Sequence, residues 1–438
     1  MKKVYTDKNL DRRKRRRPSR LGRPNVRNWR LWAFGVVLLL VLIFFVSCLL
    51  TAADGNIGPA VAETSKTIKA PPGDKAAAPG VWANAAVLMD AESGRVLYDK
   101  NGDVKLPVAS TTKMVTALVV RAKDKLSDKV VISKAAANVG EEGIGLTPGE
   151  TLSVDQLLNA MLIQSANDAA YALAEHTGGS IAGFSELMNK KAAELGATSS
   201  HFTNPHGLDA PGHYSTARDL AVIGRAVMAD PVLAKIVVTK NYSIPWPGHT
   251  GPRVAVGHNE ILTQYSAANG IKTGYTVPAG WCLVASAAKD GKSLIASVLN
   301  SSHRADDAIA MFNYGFNNTA RVVFATAGQK LGDSRISSFP RRSVNVVSRT
   351  TMAALTFVGS RDVFQVRTSM LKSAGRSVKA GEQLGKVEAS LDNSPLEKGE
   401  AVAQTSKGHP NILAGLFAFI WYSFCWTGKI IAAPFRIF

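Results

Sequence analysis

The sequence predicts an α+β fold: one antiparallel sheet flanked by helices, followed by a small all-β domain. Three observations carry this. Hairpin-like strand pairs stand at Trp82–Asp90 with Arg95–Lys100, and at Trp281–Lys289 with Ser293–Asn300. Helical patterning fills the chain between them, so one sheet is made where the two ends of this stretch meet. From about Asn318 to Thr405 the helices give way to short β-rich pieces separated by Gly, Ser, Pro and Asn. The 438 residues have room for both domains plus appendages.

The elements follow in order. Residues 1–30 form a basic tail with 13 Lys and Arg against Asp7 and Asp11, a net +11 that leaves +8 of the total +19 for the rest. The body is only mildly basic. Leu31 to Leu50 is uncharged and nearly all apolar, about the ~20 residues a helix needs to cross a bilayer. Residues 31–53 are therefore expected to be a signal-anchor, with the tail in the cytoplasm and all that follows Asp54 outside. Thr51-Ala52-Ala53 also fits a small-residue cleavage site, which leaves processing open. Two leucines follow Cys48, which argues against a lipoprotein box at Phe45-Val46-Ser47-Cys48. The basic run reads as topology and contact with anionic lipid, not as a nucleic-acid site.

Residues 54–80, rich in Ala, Pro, Gly and Lys, read as an extended linker. Residues 81–317 are expected to form the catalytic domain, opening with the first hairpin around Glu92-Ser93-Gly94. A buried helix is then expected near Ala109, through Met114–Val120. Ser153 and Gln156 form a capping box for a helix over Val154–Ile163. Gln164-Ser165-Ala166-Asn167-Asp168 interrupts it, and a second helix runs on through His176. Phe184–Leu195 reads as another helix, and Ile271-Lys272-Thr273-Gly274 lies at the edge of the second strand pair. In the β-domain, residues 318–405, strands are expected at Arg321–Ala325, Ser343–Ser348, Asp362–Val366 and Gln383–Ala389. Residues 409–438 form a membrane-associated apolar segment: Ile412 to Gly428 is uncharged and rich in aromatics, suited to lying in the interface or spanning at a tilt. The cysteines, Cys48, Cys282 and Cys425, give neither a disulfide framework nor metal-ligand spacing.

The chemistry centres on Pro107-Val108-Ala109-Ser110-Thr111-Thr112-Lys113-Met114. On a helix, Ser110 and Lys113 stand at i and i+3, within side-chain reach. A serine hydroxyl needs a base, and a lysine that has lost its proton through burial or a neighbouring cation can supply one. The spacing alone is common, recurring at Ser286…Lys289 and Ser369…Lys372. Only Ser110 opens a helix and has Ser165-Ala166-Asn167 and Lys272-Thr273-Gly274 downstream in the same domain.

That ordered triple is closely related to the S-x-x-K, S-D-N and K-T-G set of penicillin-binding proteins and class A β-lactamases. With Leu106-Pro107-Val108-Ala109-Ser110, His201–Asp209, Ser215-Thr216-Ala217-Arg218-Asp219 and Asn313-Tyr314-Gly315-Phe316, the chain resembles the low-molecular-weight penicillin-binding proteins. These are serine-type D-alanyl-D-alanine carboxypeptidases of peptidase family S11. The resemblance covers roughly Val81 to Thr405. It implies the penicilloyl-serine transferase fold and the peptidoglycan stem peptide as substrate. It also implies β-lactams as covalent inhibitors, and a bacterial cell-membrane location with the catalytic domain on the extracytoplasmic face. Membrane lipid is the expected partner at both ends; no nucleic acid, metal or other cofactor is called for.

By that resemblance Ser110 attacks the D-Ala-D-Ala carbonyl, Lys113 accepts its proton and Ser165 relays a proton to the leaving amine. Asn167 holds the substrate backbone, and Lys272 and Thr273 bind the terminal carboxylate. Gly274 allows close approach at the strand edge, and the backbone N–H groups of Ser110 and Tyr275 form the oxyanion hole. The chain departs from relatives at Val277-Pro278, which leaves the rim of the site open. Arg304 reads equally as an aid to carboxylate binding or as a surface salt bridge. His201, His206 and His213 read as turn residues rather than metal ligands, and Glu186-Leu187-Met188-Asn189 as structural helix rather than a deacylating-glutamate motif. The alternatives are a β-lactamase or D,D-endopeptidase of the same fold, or a catalytically idle envelope scaffold or sensor.

Overall fold

The computed structural model describes residues 61–408, apart from 75, 247, 337–341 and 376, together with residues 32, 35, 36, 38–40, 42 and 43. The expected basic tail, most of the expected anchor and the whole apolar C-terminal segment lie outside the described residues. Among the described residues, no helix is long and apolar enough to cross a membrane.

The catalytic sheet has five antiparallel strands in the order Val96–Lys100, Ala85–Asp90, Lys292–Leu299, Gly280–Lys289, Ala268–Thr276. The early hairpin thus pairs directly with the late one, Ala85 opposite Leu299 and Asp90 opposite Leu294. Side chains alternate across a strand, and this alternation divides the core. Val87, Met89, Val284 and Ile295 face the helices in the middle of the chain. Ala86, Leu88, Leu283, Leu294 and Ala296 face the helix Arg304–Asn318 through Met311 and Phe312. That second helix lies close: a Cβ on Gly315 would fall 2.7 Å from a Leu294 methyl.

Between the hairpins run the helices Lys113–Lys123, Val154–Ile163, Asn167–Gly178, Ile181–Leu195, Ala217–Ala229 and Pro231–Val237. The capping box forms as expected, with Gln156 N donating to Ser153 Oγ at 3.2 Å and Ser153 N to Gln156 Oε1 at 2.8 Å. Glu186-Leu187-Met188-Asn189 is helical; Met188 is buried, and Asn189 hydrogen-bonds both the N–H and the carbonyl of Phe202.

The C-terminal region is all-β. Thr319–Ala325 pairs with Met352–Phe357, and a seven-stranded sheet includes Lys330–Ile336, Arg342–Ser348, Val363–Leu371, Gln383–Leu391 and Ser394–Ala403. One edge of this sheet corrects the expected linker over residues 54–80. Val61–Lys69 is a strand, antiparallel to Val363–Leu371 with Val61 opposite Leu371 and Lys69 opposite Val363. The Pro and Gly that suggested a linker lie on either side of it, and Val61–Lys69 contains neither. An edge strand needs little apolar alternation, and here only Ala62 and Ile68 are half-buried. The all-β region meets the catalytic sheet through Arg95, which donates to Leu355 O at 2.9 Å and pairs with Asp362 at 2.6 Å. Asp90 accepts from Leu355 N at 3.0 Å on the same seam.

Candidate active site

Ser110 lies on a single 3-10 turn, Ala109–Thr112, that runs into the Lys113–Lys123 helix. Two glycines clamp this turn. A Cβ on Gly207 would fall 1.9 Å from Ala109 O, and one on Gly274 would fall 2.9 Å from Ser110 N. Gly207 has φ +90° and Ala109 itself φ 47°, so the turn holds a conformation that L-residues seldom adopt. Thr111 Oγ1 donates to Val108 O at 2.6 Å, Thr112 Oγ1 meets His213 Nε2 at 2.9 Å, and Thr116 Oγ1 donates to Pro205 O at 2.7 Å. The position of Ser110 is therefore set by packing on both sides and by hydroxyls beneath it.

Lys113 is fully buried, and its Nζ lies 2.7 Å from Ser110 Oγ, 2.7 Å from Asn167 Oδ1 and 2.8 Å from His206 O. Burial, then the nearby Lys272 charge, holds its pKa well below that of an ordinary lysine, against an opposing pull from Glu142, Glu141 and Asp168. A neutral amine has two N–H groups and one lone pair. Asn167 Oδ1 and His206 O can only accept, so they take the two N–H groups. The lone pair is left to Ser110, whose hydroxyl can donate to it.

Asn167 opens the helix that follows the Ser165 turn. Its Nδ2 donates to Gly140 O at 3.0 Å and its backbone N to Glu142 O at 2.7 Å. This fixes the amide with its oxygen on Lys113. One amide N–H remains for the substrate contact expected of it. Ser165 is buried with φ 68°, and its Oγ has no hydrogen-bond partner. An orphaned buried hydroxyl is costly, and its helix–turn–helix setting places it two residues from the side chain that holds Lys113.

Lys272 and Thr273 lie on Ala268–Thr276, the outer strand of the catalytic sheet. Lys272 is buried, and burial lowers its pKa to about 8, with Glu142 opposing and Arg304 assisting. Its Nζ donates to Thr273 O at 2.9 Å. Thr276 Oγ1 donates to Asp209 Oδ1 at 3.0 Å, tying this strand to the His201–Asp209 loop. Gly274 approaches the Ser110 turn itself, and so brings the Ser110 backbone nitrogen against the strand just before Tyr275.

Arg304 does not reach for a substrate carboxylate. Its Nε and Nη2 grip Glu260 at 2.6 and 3.0 Å, and its Nη1 donates to Gly274 O and Cys282 O at 3.3 and 3.2 Å. His206 and His213 are buried and spent on hydrogen bonds, with pKa values lowered to about 3 and about 4 chiefly by burial. Among the described residues one set of metal-type ligands gathers, Asp124, Asp128 and His176. It stands beyond the far end of the Lys113–Lys123 helix and takes no part in this site. The contributions of His206 O and Gly207 were not identified from sequence, although both lie inside the His201–Asp209 stretch.

Residues 73–303 match the D-alanyl-D-alanine carboxypeptidase family, Peptidase_S11. The D-alanyl-D-alanine carboxypeptidase DacF of Bacillus subtilis is 32% identical over 333 residues, 74% of this chain and 85% of that protein. DacB2 of Mycobacterium tuberculosis is 39% identical over 242 residues, 53% of this chain and 82% of that protein. Among solved structures, penicillin binding protein 5 from Haemophilus influenzae is 29% identical, with a TM-score of 0.61 over 76% of this chain and 100% of its own.

Proposed function

Because the chain belongs to the D-alanyl-D-alanine carboxypeptidase family S11, we propose a mechanism for it in which Ser110, Lys113 and Ser165 carry the reaction. The enzyme is a serine hydrolase that cleaves the terminal D-Ala-D-Ala bond of cell-wall stem peptides, and covalent capture of penicillin is typical of its family. The observation that carries the residue assignment is the pair of acceptors on Lys113 Nζ, Asn167 Oδ1 and His206 O, which leaves its lone pair for Ser110 Oγ at 2.7 Å.

In acylation Ser110 Oγ attacks the penultimate D-Ala carbonyl and passes its proton to Lys113. The oxyanion is held by the Ser110 and Tyr275 backbone N–H groups, each such donor typically worth about 10²–10³ in rate. As the C–N bond breaks, the proton returns through the Ser165 hydroxyl to the leaving D-alanine amine. Lys272, as a cation, and Thr273 bind the terminal carboxylate. In deacylation water attacks the ester, Lys113 takes the water proton, and Ser110 recovers it on leaving. Asn167 orients Lys113 throughout.

For location, we read Leu31 to Leu50 as the membrane anchor, with the enzyme body on the extracytoplasmic face and the C-terminal apolar segment at the lipid surface. Supporting this, Trp32, Val36, Leu38, Leu39, Leu40, Leu42 and Ile43 are apolar, helical and exposed. The deciding experiment follows D-alanine release from a stem pentapeptide, with intact-mass measurement after penicillin treatment of wild type and Ser110→Ala. Release together with a penicilloyl adduct that Ser110→Ala loses is expected. An adduct that survives in Ser110→Ala would overturn the assignment.

A further inference from the structure

Arg304 places a cation where two electrostatic effects oppose it. It opens the helix Arg304–Asn318, a position where the helix dipole disfavours positive charge and where Asp306 and Asp307 follow the usual preference. Its charge also adds to the burial that lowers the pKa of Lys272. The side chain is nevertheless firmly held. Its Nε and Nη2 take one Glu260 carboxylate oxygen each, and Trp281, opposite Tyr275 in the register, has its ring centre 4.8 Å from the guanidinium. This hold presents Nη1 to the sheet, where it donates to Gly274 O at 3.3 Å and to Cys282 O at 3.2 Å.

Gly274 and Cys282 face each other across the strands Ala268–Thr276 and Gly280–Lys289, so one nitrogen bridges both strands. Gly274 packs against the Ser110 turn, and by strand alternation Tyr275, with Trp281 and Arg304, lies on the other face. Gly274 O is one end of the peptide unit whose other end is the Tyr275 N–H. In a planar trans peptide these two groups point in opposite directions, so a donor on the oxygen fixes the aim of the N–H. Hydrogen bonds in series also polarise one another, and a cationic donor on the oxygen makes the N–H a stronger donor in turn. The proposed mechanism puts the substrate oxyanion on that N–H. We propose that Arg304 is a positioning residue for acyl transfer: locked by Glu260, it holds the Gly274–Tyr275 peptide from behind the sheet and strengthens its N–H toward the oxyanion. The inference rests on the Ser110 acyl-enzyme reading and deepens it.

The test reads the carbonyl stretch of the penicilloyl ester by infrared difference spectroscopy, with an isotope label at that carbonyl, beside the acylation rate. The stretch reports how strongly the oxyanion-hole donors hold the ester oxygen, which a merely structural residue would not change. Full-length wild type, Arg304→Met, Arg304→Lys and Glu260→Gln are compared. In Arg304→Met acylation is expected to slow about tenfold, less than for loss of a whole donor, and the ester stretch to rise in frequency. Glu260→Gln loosens the guanidinium without removing it, and its stretch should rise by less. Arg304→Lys keeps a cationic donor and should lie nearest wild type. If Arg304→Met does not acylate, the stretch in Glu260→Gln decides alone. A wild-type frequency in the variants that do acylate overturns the positioning role, whatever their rates, and leaves the hydrolase reading standing. Absence of a penicilloyl ester in wild type overturns that reading instead, and the inference falls with it.

Discussion

Gly274 packs against the backbone of Ser110 so closely that an added Cβ would lie 2.9 Å from Ser110 N, with Ala109 Cβ and Thr111 N both at 3.1 Å. The glycine of the Lys-Thr-Gly motif thus sets the distance between the Ser110 turn and the sheet edge, which in the proposed mechanism is also the width of the oxyanion hole. Gly274→Ala must push the Ser110 turn away by a few tenths of an ångström. Misplacement on this scale costs far more in catalysis than in stability, and we expect Ser110 acylation by penicillin to slow about 10²-fold. Gly207→Ala differs in kind. Its Cβ would collide with Ala109 O at 1.9 Å from a backbone at φ +90°. We expect a loss of about 2–4 kcal/mol in folding stability. Stopped-flow acylation and denaturant unfolding of the two variants separate these effects; equal stability losses would refute the distinction.

Asn167 is predicted to act on rate through Lys113. Asn167→Ala leaves one Lys113 N–H unpaired in a buried site, and acylation should fall about tenfold to a hundredfold. Asn167→Asp places a negative charge 2.7 Å from Nζ, where the wild-type oxygen sits. An anion there favours the protonated lysine, so the acid limb of the acylation pH profile moves to higher pH. A profile that drops without moving would show that Asn167 does not control the Lys113 proton.

Much of this site was legible in the sequence because its side chains come from short motifs whose spacing matches local structure. The capping box at Ser153 and Gln156 and the break at Gln164–Asp168 locate Ser165 and Asn167 with no tertiary information. Val61–Lys69 was not legible. An exposed edge strand leaves almost no apolar alternation, and its partner lies some 300 residues away. Nor was the grip of His206 on Lys113, since a main-chain carbonyl carries no residue-type signal. Arg304 stayed ambiguous until Glu260, 44 positions earlier, was seen to occupy it. Trp281 reads as one more strand aromatic unless its register with Tyr275 is known.

The pH dependence has a basic limb set by Lys272. Burial brings its pKa down from 10.5 to about 8, and in the proposed mechanism it binds the terminal carboxylate as a cation. We expect kcat/KM for D-alanine release to fall above about pH 8, approaching tenfold per pH unit. The Lys272 charge also lowers the Lys113 pKa, second to burial. Lys272→Met therefore raises the Lys113 pKa, and the acid limb of penicillin acylation shifts upward. An unmoved acid limb would mean that burial alone keeps Lys113 deprotonated.

The last prediction concerns the seam between the catalytic domain and the all-β region. Glu397, on Ser394–Ala403, has a buried Oε2 without a hydrogen-bond partner. Burial first, then the Glu92 and Asp90 carboxylates, raises its pKa from 4.5 to about 7, with the Ala353 N–H and Arg225 pulling the other way. Glu92 is already committed to Arg321, and Asp90 to Ser93 and Leu355 N, so neither can relieve it. Between pH 4.5 and 7 the folded protein holds a proton on Glu397 that the unfolded chain has released. Stability from this group is therefore fully present below pH 4.5 and is lost as pH rises through 7. Glu397→Gln keeps the shape without the charge. Its Tm should match wild type near pH 5 and exceed it at pH 8, and the wild-type decline between those values should flatten. Equal declines in the two proteins would place the pH sensitivity elsewhere on the seam.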